Sequence, residues 1–69
     1  MDVAQLETAA RSGDPATGLR AVVALRKLAD QLEARNVGAA RRLGWSWGQI
    51  GDALGISRQA AHKKHRRTW

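Results

Sequence analysis

The sequence predicts an all-α fold, and three observations carry that prediction. Val and Ile are sparse and never alternate, and Tyr and Phe are absent, so no stretch has the period-two pattern of a strand. Apolar residues instead recur at steps of three and four along most of the chain. Residues that cap helices stand ahead of each apolar run: Asp2, Asp14, Ser46 and Ser57. The expected order is a short N-terminal helix, a long central helix and a C-terminal helix-turn-helix. At 69 residues this is one helical domain over 1–69, with 1–44 as scaffold and dimerisation helices and 45–69 as the motif.

The first helix is expected from about Val3 to Arg11, capped by Asp2. Val3, Leu6 and Ala10 share a face, and Glu7 and Arg11 form a favourable i,i+4 pair. Ser12 and Gly13 end it. Asp14 then caps a new helix with Pro15 at its first position, where a missing N–H costs nothing.

From Pro15 to Leu43 there is no further Pro, and Ala, Leu and Arg dominate. One long helix is expected, weakened at Asn36 and Gly38. Val22, Leu25, Ala29, Leu32, Asn36, Ala39 and Leu43 form a heptad seam with Asn36 at an a-type position. Leu19, Val23, Leu28 and Val37 widen the apolar stripe. The expectation is a homodimer with Val22, Leu25, Ala29, Leu32 and Asn36 at its interface. A seam that packs only on the chain's own helices is the alternative.

Gly44 and Trp45 make the turn out of this helix. Trp45 and Trp47 are expected as a lid on the core, or as indole donors to phosphate. Trp69 is expected to close over the core or to be loose. Ser46 caps the next helix, and Gln49 completes a capping box. Trp47, Ile50 and Leu54 follow at helical spacing. Gly55 suits a left-handed cap, Ile56 tucks under the turn, and Ser57 caps the last helix, from about Arg58 to Arg67. The small Gly51 lets the two helices cross closely. Ile50, Leu54, Ile56 and Ala60 or Ala61 form the wedge between them. A helix, a Gly-centred turn and a second helix loaded with Arg, Gln, His and Lys is the sequence form of a DNA-binding helix-turn-helix.

Charge agrees with that reading. The formal net charge is +6. Residues 1–34 carry four basic and five acidic side chains, and residues 35–69 carry eight basic against Asp52 alone, giving −1 and +7. A near-neutral scaffold joined to a basic half implies a polyanion-binding surface.

Other classes lack residues. With no Cys, disulfides and Cys-based zinc sites are excluded. His62 and His65 lie three apart, but Lys63, Lys64 and Arg66 would repel a cation and no carboxylate is expected nearby. No metal, cofactor or catalytic residue is expected, and the protein is not expected to be an enzyme. No small-molecule ligand is expected, and no apolar run is long enough for a membrane.

The stretch WSWGQIGDALGISRQAAHKKHRR resembles bacterial helix-turn-helix domains of the AsnC/Lrp-like or sigma region 4-like sort. The chain as a whole is similar to small actinobacterial helix-turn-helix proteins, most of all the streptomycete nucleoid-associated type. The resemblance implies a cytoplasmic, nucleoid-located protein that binds double-stranded DNA at many sites. On the family pattern Arg58, Gln59, His62 and Lys63 face the groove. Ala61 and His65 depart from it, standing where larger apolar residues are usual.

The mechanism then expected places the last helix in the major groove. Arg58, Gln59, His62 and Lys63 contact bases, since Arg suits guanine and Gln suits adenine. Ser46, Trp47, Ser57, Lys64, Arg66, Arg67, Arg41 and Arg42 contact the backbone. Two alternatives remain open: a local repressor or activator with few promoters, and a protein-interaction module working through the long helix. RNA binding is a weaker third.

Overall fold

The computed structural model describes residues 2–67, and the Trp69 expectation falls outside them. The described residues form four helices and no strand: α1 (Val3–Ala10), α2 (Pro15–Arg42), α3 (Trp47–Leu54) and α4 (Arg58–His65). The all-α expectation holds. The chain divides into two compact units, 1–31 and 32–69, and α2 supplies residues to both.

In the first unit, Asp2 accepts from the Gln5 N–H at 2.8 Å, and the Gln5 side chain returns the bond to the Asp2 backbone. Glu7 pairs with Arg11 at 3.2 Å. Gly13, at φ +85°, turns the chain. Asp14 Oδ2 then accepts from both the Thr17 N–H and its hydroxyl, at 3.0 and 2.6 Å, which starts α2. Leu6 and Ala21 are buried. Gly18 lies close under α1, where a Cβ would stand 3.4 Å from the Ala10 carbonyl oxygen.

The second unit contains the end of α2, α3 and α4. α2 runs unbroken through Asn36 and Gly38, so the expected weakening does not interrupt it. It ends in a Schellman arrangement: Trp45 N donates to Ala40 O at 3.0 Å and Gly44 N to Arg41 O at 3.0 Å, with Gly44 at φ +87°. The same bonds end α3. Ile56 N donates to Gly51 O at 2.9 Å and Gly55 N to Asp52 O at 3.2 Å, with Gly55 left-handed at φ +73°. Ser46 and Gln49 form the expected capping box. Ser57 Oγ accepts from Ala60 N at 3.0 Å.

Val37, Ile50 and Ala61 form the buried centre of this unit, with Ala40, Trp47 and Leu54 packed around it. Gly51 is buried, and a Cβ there would meet the Ile56 carbonyl oxygen at 2.7 Å. The close approach expected at Gly51 is thus to the backbone of the turn. Three expectations need correction. Trp45 is 40% exposed and forms no lid, because the Schellman turn carries it outward, whereas Trp47 does cover the core. Ile56 remains 37% exposed and is not among the residues packed on the buried centre, so its side chain does not tuck under the turn. The wedge expected from Ala60 or Ala61 is filled by Ala61, and Ala60 is exposed. The last helix stops at His65, with Arg66 as its C-cap and Arg67 beyond it.

Candidate nucleic-acid interface

α4 is built to show one face. Ala61 is fully buried and His65 nearly so, one turn apart, which fixes the inward direction. At about 100° per residue, Gln59, Lys63 and Arg66 lie within about 60° of the opposite direction. All three are exposed. By the same count His62 and Lys64 stand on opposite flanks, and Arg58 lies about 40° from the inward direction, exposed because it is the first residue of the helix.

Arg58, Gln59 and His62 line a shallow groove with Ser57 and Trp47. Trp47 is the hub of its wall. The Arg41 guanidinium stacks 4.9 Å from the Trp47 ring centroid, and the His62 ring lies 5.2 Å away at an interplanar angle of 58°. Arg41 also donates to the Trp45 carbonyl at 2.7 Å, so its charge is held beside the start of α3. Such a cation–aromatic contact is worth about 0.5–1 kcal/mol at an exposed site. Arg41, Trp47 and His62 thus form one cluster, the guanidinium over the indole and the imidazole tilted against it.

The remaining candidates are dispersed. Ser46 and Ser57 use their hydroxyls as helix caps. Arg42 is exposed at the end of α2, and Arg66 and Arg67 are exposed at the end of α4. Lys63 is exposed on the outward face. Lys64 differs: its Nζ lies 2.8 Å from Glu33 Oε2 of α2. The same oxygen is 2.7 Å from His65 Nε2. The expectation that no carboxylate stands near the histidines is therefore wrong. It fails because folding joins residues 32 apart in sequence. Lys64 above all, against burial and together with His65, holds the Glu33 carboxyl below the usual glutamate range. Sequence reasoning did not place Glu33 at this site; its signal in the sequence is its isolation, since Glu33 and Asp52 are the two acidic residues from 31 onward.

His65 turns to Glu33 and His62 to Trp47, so the two rings do not converge. Among the described residues no three metal-ligating side chains cluster, and no helix is long and apolar enough to cross a membrane.

Of the seam residues, Val22 and Leu25 are half-buried within the chain, while Ala29, Leu32 and Asn36 are exposed. Asn36 Nδ2 donates to Leu32 O of its own helix at 2.8 Å. Leu43 is 78% exposed. Comparison with protein-family models, with curated proteins and with solved structures gave no match.

Proposed function

We propose that this chain binds double-stranded DNA with α4 in the major groove, at short and numerous sites, as a nucleoid-associated protein that modulates transcription. The observation that carries the reading is the outward face of α4. Gln59, Lys63 and Arg66 stand opposite the buried Ala61 and His65, beside a groove walled by Trp47 and His62. Side chains able to read bases and side chains able to meet phosphates thus share one convex helix. Arg41, Arg42 and Arg67 add charge at neighbouring helix ends. One recognition helix spans only a few base pairs, which favours short sites.

The chain acts as a homodimer in this reading, paired through α2. Support comes from Leu32 at 49% exposure and from Leu43 on the same seam, both open in the single chain. A twofold pair would make the sites palindromic. The same apolar residues favour a second reading, a protein-interaction module working through α2.

Fluorescence anisotropy of labelled duplex DNA tests the first reading. With roughly four to six phosphates neutralised per subunit, log K should fall against log salt at a slope of about −4 to −5. A slope near zero would contradict it, and so would failure to bind duplex at low salt.

A further inference from the structure

α4 has little apolar surface to hold it. Ala61 is its buried apolar residue, and His65, at 5% exposure, occupies the next inward position. At its N-terminal end the turn is pinned by the close approach of Gly51 to the Ile56 and Ser57 backbone. At its C-terminal end Glu33 Oε2 accepts from Lys64 and His65 together, at 2.8 and 2.7 Å. The Glu33 side chain is 21% exposed, so this contact is screened less than a surface pair.

We propose that Glu33 is a positioning residue for DNA recognition: by gripping Lys64 and His65 it sets the direction in which α4 presents Gln59 and Lys63. The proposal rests on the DNA reading above. It takes Lys64 away from the phosphate-contacting set and gives it a role within the protein. A carboxylate on a DNA-binding unit opposes phosphate electrostatically, and here its charge is taken up by two cationic or N–H donors of α4 instead of facing outward. The effect of that grip is angular. Ala61 and the pinned turn hold the N-terminal half of α4, and a contact one turn further along stops its C-terminal half from swinging about them. The double acceptor also needs an anion. An amide at this position would turn an N–H₂ towards donors, or satisfy one of them and lose the charge that attracts the ammonium.

The consequence separates positioning from mere stabilisation. Removing the charge of Glu33 raises the net charge by one and releases Lys64 towards solvent. Affinity for DNA of arbitrary sequence should then hold or rise, while discrimination falls. A loss of folding would lower both affinities together.

The test uses the full chain and two probes, a duplex enriched by the unmodified chain from a random-sequence library and a poly(dI-dC) duplex. For Glu33→Gln the ratio of the two affinities should fall about tenfold or more, the scale of one or two lost base contacts. Binding to poly(dI-dC) should be unchanged or tighter, with a salt slope steeper by about one. Glu33→Asp, which keeps the charge, should recover part of the ratio. Lys64→Gln guards against a Glu33 variant that fails to fold, because Lys64 is half-exposed. It should lower the ratio and leave the salt slope unchanged. An unaltered ratio in Glu33→Gln, or equal losses on both probes, would overturn the proposal. So would a Lys64→Gln chain with unchanged ratio and a slope reduced by about one, the mark of a direct phosphate contact. Failure of the unmodified chain to bind either probe would instead overturn the DNA reading beneath it.

Discussion

Replacing Gly51 by Ala sets two effects against each other. Within a helix, Ala is favoured over Gly by about 0.5–1 kcal/mol. On propensity alone the variant should be more stable. The fold opposes this, because the new Cβ would lie 2.7 Å from the Ile56 carbonyl oxygen and 3.0 Å from two Ser57 backbone atoms. Ordinary contact begins near 3.4 Å, so the turn would have to retreat by about 0.7 Å. It is poorly able to do so. Ile56 N is bonded back to Gly51 O at 2.9 Å, Gly55 is held left-handed, and Ser57 caps α4. Overpacking of this kind typically costs about 1–3 kcal/mol, and more where backbone must move. The net expectation is a loss of about 1–2 kcal/mol, or roughly 5–15 °C in Tm for a chain this small. Gly48 is the control, because a Cβ there meets only Ser46 Oγ at 3.6 Å. Gly48→Ala should be neutral or more stable by up to about 1 kcal/mol. Thermal melts followed by circular dichroism compare the two. Equal stability of Gly51→Ala and Gly48→Ala would refute the close approach on which the placement of α4 depends.

Two further outcomes follow from the same geometry. Leu32→Asp should leave a folded monomer, since Leu32 is half in solvent, and should weaken DNA binding by unlinking two recognition helices. Sedimentation at tens of micromolar checks this, and an unmodified chain that is monomeric both free and on DNA would refute the dimer. The lowered pKa of Glu33 gives stability that is fully present above the usual glutamate range and is lost as pH falls through the lowered value. Acid melts should therefore show Glu33→Gln less stable than the parent at neutral pH and converging with it in acid. Parallel curves would mean that the bridge to Lys64 and His65 adds no stability.

Local chemistry made most of the fold legible. Each cap depends on a residue and its neighbours three or four away, so Asp2, Asp14, Ser46 and Ser57 declared their helices from sequence. Gly55 declared the left-handed turn in the same way. The exposed face of α4 followed from the period of its side chains. What stayed hidden depends on residues distant in sequence. No local rule joins Glu33 to His65, or brings Arg41 and His62 against Trp47. Trp45 and Trp47 look equivalent around Ser46, yet one lies after a Schellman turn and the other begins α3. Their different burial follows from that geometry. His65 was legible as a polar side chain on a helix, but its burial and its partner Glu33 appeared only in three dimensions.

If the outward face of α4 reads base edges, as proposed, Gln59 is the side chain whose removal shows it. It is exposed two residues after the Ser57 cap, and its side chain takes no part in the packing of Val37, Ile50 and Ala61. Gln59→Ala should therefore leave the fold intact. On the duplex that the unmodified chain selects, the variant should lose about 1–3 kcal/mol of binding, with a much smaller loss on DNA of random sequence. Equal losses on both DNAs, or no loss on either, would contradict the claim.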